Sequence, residues 1–195
     1  VNEVVKFLGR AAALALVLAT PAAAQSYSDS YTFMKAVRER DGNKVTELVD
    51  HPGTTVINSR DSSGDGAVHI VTRGRDLPWL TFMLAKGARP DMQNAKGETA
   101  LSLAAQLDWT DGARELLSHG ATVDLPNQRG ETPLILAVQL HNISMVRLLL
   151  SNGASPTRTD HVTGYSAIDY ARQDSHDLPI LHLLEGKAGP AAAKP

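Results

Sequence analysis

Gly97-Glu98-Thr99-Ala100-Leu101 returns thirty-three residues later as Gly130-Glu131-Thr132-Pro133-Leu134, and more loosely as Gly164-Tyr165-Ser166-Ala167-Ile168. The turn glycines at 64, 97, 130 and 164 stand 33, 33 and 34 residues apart. Working outward, each is followed by an apolar residue and, three positions on, a smaller one or its equal: Val68/Val71, Leu101/Ala104, Leu134/Ala137 and Ile168/Ala171. Phe33/Ala36 opens the series without a glycine turn. A second stripe at i, i+3, i+4 follows in every unit: Val45/Leu48/Val49, Leu80/Met83/Leu84, Ala113/Leu116/Leu117, Val146/Leu149/Leu150 and Ile180/Leu183/Leu184. That spacing lines one face of a helix. Two stripes keeping one period mark an internal repeat.

Each unit reads as a helical hairpin. Thr99, Thr132 and Ser166 stand where a first helix begins and can accept from its free N–H groups. Pro133 suits the first turn, where its missing donor has no partner to lose. Gly87-Ala88, Gly120-Ala121 and Gly153-Ala154 close second helices, the glycine supplying a left-handed residue. The polar stretches 91–96 and 124–129 are too short for a third helix and read as extended turns. The expected fold is all-α, a solenoid of about five helix-turn-helix units at 29–60, 61–93, 94–126, 127–160 and 161–186, with a flexible tail at 187–195. Leu117 and Leu150 are expected to be equivalent buried positions, and Trp79 to lie in the core.

Composition narrows the function classes. The chain of 195 residues carries 19 Lys+Arg against 21 Asp+Glu, without the basic surplus of a nucleic-acid binder. No cysteine is present, which removes disulfides, thiolate metal sites and cysteine nucleophiles. Residues 1–24 differ from the rest: Lys6 and Arg10 precede the apolar run from Ala11 to Thr20, and Pro21-Ala22-Ala23-Ala24 precedes Gln25. This order describes a secretory signal peptide cleaved after Ala24. Ten apolar residues rise about 15 Å as a helix, half a bilayer core, so no stable membrane anchor is expected after cleavage. The initial valine fits an alternative bacterial start codon, and the expected location is periplasmic or secreted.

The repeat resembles the ankyrin repeat, over residues 29–186 of an expected domain at 25–186. The family motif is best matched by Thr132-Pro133-Leu134-Ile135-Leu136-Ala137. His69 holds the motif's histidine position, which implies a structural ring tying adjacent turns together. The ends depart from the pattern: the first unit leads into a longer loop at 51–59, and the last has an extra residue before Gly164 and Lys187 in place of glycine. Terminal units must turn one face to water. The resemblance implies a protein-interaction scaffold whose turn tips and first helices line a concave face. Carried over by position, its candidate contacts are Arg60, Ser62, Asp65 and Arg73 in the second unit, then Gln93, Lys96, Glu98, Gln106 and Leu107 in the third. The fourth contributes Gln128, Arg129, Glu131, Gln139 and Leu140, and the fifth His161 and Tyr165. Leu107 and Leu140 read either as an exposed anchoring pair or as two lone surface leucines. Trp109 reads as a packed loop residue or an interface anchor.

Other constellations fall short of chemistry. Asp61-Ser62-Ser63-Gly64-Asp65-Gly66 imitates the opening of a calcium loop, but its twelfth position is Thr72. Ser166 lacks the closing glycine of a nucleophile elbow, and Ser175-His176-Asp177 is adjacent in sequence only, which defines no triad. No catalytic residue, metal site or cofactor is expected. The expected function is a non-enzymatic module, a monomer binding an unidentified protein, with no nucleic acid. The alternatives are a metal-binding or enzymatic periplasmic protein with its site on the concave face, an immunity or inhibitor protein, or an oxidative-stress accessory.

Overall fold

In a computed structural model, which describes residues 21–174 and 177–188, the expected caps form. Thr99 Oγ1 accepts from Ser102 N at 3.1 Å, Thr132 Oγ1 from Ile135 N at 3.3 Å and Ser166 Oγ from Asp169 N at 3.3 Å. Second helices start on their own polar residues: Asp41, Asp76 and Asn142 accept from the amides of Lys44, Trp79 and Met145. The outcome is five hairpins: α1 (Pro21–Glu39) with α2 (Gly42–Val49), α3 (Ala67–Arg73) with α4 (Leu77–Ala85), α5 (Ala100–Gln106) with α6 (Thr110–Ser118), α7 (Pro133–Gln139) with α8 (Ile143–Ser151), and α9 (Ala167–Gln173) with α10 (Leu178–Ala188). First helices pack in the series α1, α3, α5, α7, α9, and second helices in the series α4, α6, α8, α10. The fold is an all-α solenoid of stacked helical hairpins, with no strand among the described residues beyond one isolated bridge between Thr159 and Ser166.

The core lies between the two layers. Leu80, Met83, Leu101, Leu116, Leu134, Ile135, Met145 and Leu149 are fully buried. Leu117 and Leu150 are not the equals their spacing suggests: Leu150 is buried, whereas Leu117 is half-buried against the core margin. Trp79, one position before the buried Leu80, flanks the stripe half-buried and meets the Phe82 ring edge-on at 5.6 Å. Trp109 takes the packed reading. It stands at the N-cap of α6 and cannot cap it, and its indole lies over Gly112, where an added Cβ would come within 2.1 Å of the ring.

The inter-helix turns hold a feature the stripes do not announce. Arg40, Arg75, Asp108 and His141 all have left-handed backbone, with φ of 59°, 49°, 52° and 54°. In each case the next residue's amide bonds back to the first helix, as in Asp76 N to Val71 O at 3.1 Å and Asn142 N to Ala137 O at 2.9 Å. This is the helix-ending arrangement usually served by glycine; here it reverses the chain with two or three residues between the helices.

At the ends, α1 includes Pro21 and α10 includes Ala188, and the loop at 51–59 contains a 3-10 turn (Val56–Asn58) that buries Val56 and Ile57. The expected cleavage point after Ala24 falls within α1. The basic and apolar segments of the expected signal peptide (1–20), Ser175-His176 and residues 189–195 of the expected tail lie outside the described residues. No helix among the described residues is long and apolar enough to cross a membrane.

Candidate protein-binding face

Between hairpins the chain makes a short finger, built on an aspartate or asparagine at one interval. Asp61, Asn94 and Asn127 each turn the side-chain oxygen back to accept two backbone amides. For Asn94 these are Lys96 N at 2.9 Å and Glu98 N at 3.0 Å; for Asn127 they are Arg129 N and Glu131 N at the same distances. Asp61 does likewise with Ser63 N and Asp65 N, so the carboxylate that heads the calcium-like stretch is occupied by its own loop. Asp160 repeats the hook in the last unit with Val162 N and Gly164 N, and gathers further donors: Thr163 N, Thr163 Oγ1 and Tyr170 Oη, the last at 2.6 Å. Burial would raise the Asp160 carboxyl, but the Tyr170 hydroxyl and the Thr163 and Val162 donors hold it far below the usual carboxylate range.

Backbone bonds strap each finger to the next. Ala95 N donates to Ser63 O at 3.1 Å, Gln128 N to Lys96 O at 3.1 Å and His161 N to Arg129 O at 2.8 Å. The turn glycines serve this approach as well as their positive φ. A Cβ on Gly97 would lie 2.7 Å from Gln128 N, and one on Gly130 2.6 Å from His161 N. His69 ties the second finger to the third as the resemblance implies: Nδ1 accepts from Gly66 N at 3.0 Å, so Nε2 carries the proton and donates to Glu98 O at 3.0 Å. Burial disfavours its charged form and lowers its pKa.

The sixteen candidate contacts take unlike places on this frame. Ser62, Lys96, Gln128, Arg129 and His161 are exposed fingertip residues, and Leu140 and Tyr165 are exposed beside them. Arg60 and Gln93, though at the same face, serve the frame: Arg60 donates to Gln93 O and Gly64 O, and Gln93 Nε2 to Gly97 O and Pro126 O. Asp65, Glu98 and Glu131, expected as exposed contacts, are buried at 8%, 9% and 6% exposure. They form a floor beneath the fingers because the amides of Asn94 and Asn127 turn inward to them, at 2.8–2.9 Å. Burial pushes the Asp65 carboxyl up, but the Asn94 amide and the Arg73 guanidinium together hold it below its usual value. Arg73, Gln106 and Gln139 stand at one register along the first helices, above this floor.

The leucine pair resolves into two unlike residues. Leu140 is 51% exposed, whereas Leu107 is half-buried against the core. Arg75 of the preceding turn reaches the Leu107 carbonyl, laying its stem across that turn. At the next unit the same position is the short Asp108, bonded to Asn142 instead. Sequence reasoning passed over the hooks Asn94, Asn127 and Asp160, although their interval of 33 residues from Asp61 was on view. It also passed over Tyr170, whose ring meets Tyr165 edge-on at 5.6 Å.

Among the described residues, no group of three or more His, Asp or Glu side chains is arranged to hold a metal. Against known families, residues 68–160 match the family model described as ankyrin repeats, in three copies.

Proposed function

With three ankyrin repeats at residues 68–160 as the premise, we propose that the protein is a non-enzymatic interaction module, exported to the bacterial periplasm. It binds a folded partner through the face made by its fingers and first helices. Ankyrin repeats are interaction modules; the partner and the export are this proposal's own content. One observation carries it: the fingers are held by side-chain hooks and backbone straps, leaving consecutive fingertip side chains exposed from Ser62 through Val162. Loop residues positioned by a rigid scaffold are where binding usually resides. A specific interface takes about 800 Å² from each partner, within reach of three adjacent units. The tips mix charge, amide and apolar groups, which suits a protein of mixed polarity better than a polyanion.

The test compares two double variants in affinity capture from a periplasmic extract. Lys96→Glu with Arg129→Glu alters two exposed tips, and Arg114→Glu with Arg147→Glu alters two exposed positions on α6 and α8. The fingertip pair releases the captured partner and the outer pair retains it, with both variants melting like the parent. Release by the outer pair alone overturns the assignment of the face. Export is tested by intact mass, which for periplasmic protein corresponds to a chain beginning at Gln25; recovery of uncleaved chain from the cytoplasm alone overturns it.

A further inference from the structure

The repeat compares one inter-unit cleft with the next, and the two differ by a guanidinium. In the step from the second unit to the third, Arg73 lies above two floor carboxylates. Its Nε and Nη2 donate to the two oxygens of Asp65 at 3.3 Å, and Nη2 stands 3.6 Å from Glu98 Oε2. One step on, the carboxylates recur as Glu98 and Glu131, but the residue in register with Arg73 is Gln106. Its amide reaches Glu98 Oε1 at 3.4 Å and carries no charge. Where Arg73 fills the earlier step, a cleft of about 470 Å³ opens, lined by Glu98, Glu131, Gln106 and Gln139, with Lys96 and Arg129 at its rim. Glu131 Oε2 is bonded by Asn127 at 2.8 Å, while Oε1 has Arg129 at 3.5 Å, whose side chain is 66% exposed.

We propose that this cleft receives an arginine side chain of the partner polypeptide, which takes between Glu98 and Glu131 the place that Arg73 takes between Asp65 and Glu98. The inference rests on the reading of this face as the partner-binding surface and specifies what the partner inserts. A buried carboxylate pair is reached by a long inserted side chain and not by a flat contact. A guanidinium supplies planar, two-pronged donation that a lysine ammonium does not. The rim adds the complement: Lys96 and Arg129 at the mouth favour acidic residues on either side of the inserted arginine, a charge pattern that sets register and excludes other partners. Gln106 and Gln139 offer amides to the inserted chain.

The probe is a capped peptide with one arginine between two aspartates, titrated into the full chain while the side-chain amides of Gln106 and Gln139 are followed by NMR. Saturable shifts at both amides are expected. Replacing the arginine by citrulline, which keeps the shape and removes the charge, weakens binding about tenfold. Gln106→Arg restores the arrangement of the earlier step, so its own guanidinium fills the cleft: the melting temperature rises and the arginine peptide loses about tenfold in affinity. Equal binding of the arginine and citrulline peptides by the parent overturns the inference, as does undiminished arginine-peptide binding by a folded Gln106→Arg. If the peptide moves neither amide while Lys96→Glu with Arg129→Glu still releases the captured partner, the cleft inference fails and the binding face stands.

Discussion

Replacing Gly97 and Gly164 by alanine, one at a time, separates two effects that the finger glycines combine. Their backbones are the same, φ of 73° and 72°, so alanine meets the same left-handed penalty at both, about 1–2 kcal/mol. Alanine also narrows the unfolded chain at both sites, worth about 0.4–1 kcal/mol in the opposite sense. These terms cancel in the difference. What remains is space: at Gly164 nothing lies within 4 Å of the added Cβ, whereas at Gly97 it would stand 2.7 Å from Gln128 N and 3.2 Å from Asn127 C. Both obstacles are backbone of the next finger, so that finger must retreat. The retreat stretches the Gln128 N to Lys96 O strap, a bond worth about 0.5–1.5 kcal/mol, and adds overpacking strain of about 1–3 kcal/mol. Gly97→Ala therefore costs about 2–4 kcal/mol more than Gly164→Ala. Urea unfolding followed by far-ultraviolet circular dichroism gives the difference, and hydrogen exchange shows the Gln128 amide losing protection in Gly97→Ala alone. Costs agreeing to within about 0.5 kcal/mol, near the ordinary scatter of independent sites, would refute the close-approach argument.

Thr72 Oγ1 is buried without a hydrogen-bond partner among the described residues, and the same register holds Ala105 and Val138 in the next units. Thr72→Val should therefore stabilise the fold by about 1 kcal/mol or more, and a lower urea midpoint would count against it. His69 and His141 should bend stability in opposite directions with pH. His69 has its pKa lowered from 6.5 by burial, so its contribution is complete above 6.5 and is lost as pH falls through the folded value. His141 has its pKa raised from 6.5, through the hydrogen bond with Asp177 at 2.8 Å and the charge of that carboxylate, so its contribution is complete below 6.5 and is lost as pH rises through the folded value. His141→Asn, an exchange the left-handed backbone tolerates, should remove the decline on the alkaline side and keep the acidic one. Melting curves across the range test this, and an unchanged alkaline limb would sink it.

Much of the fold was legible because its signals are local. A cap needs only its own residue and the amide three places on, as at Thr99 and Ser102, and the helix stripes need only a period. Exposure at the face was less legible because it depends on the neighbouring unit. Asp65 sits beside a turn glycine as any surface acid would, yet the Asn94 amide of the next finger draws it under cover. Leu107 and Leu140 are the same residue at the same register, yet their exposure differs, and the turn one unit back differs with it: Arg75 reaches the Leu107 carbonyl, where Asp108 bonds Asn142. The left-handed turns at Arg40, Arg75, Asp108 and His141 carry no glycine, so the usual marker of such a reversal was missing.

The strap between fingers is made of backbone amide and carbonyl groups at Ser63, Ala95, Lys96, Gln128, Arg129 and His161, and of these tips Gln128 adds a side-chain link, Nε2 to Ala95 O at 2.9 Å. Mutation at tips such as Ser63, Lys96 and Arg129 therefore leaves these backbone joints of the array in place. A lineage can rewrite fingertip chemistry residue by residue, following a changing partner, while the register between units is inherited intact. The positions that resist such drift are the hooks at 61, 94, 127 and 160 and the glycines behind them, and these are the ones to hold fixed when the face is redesigned for another target.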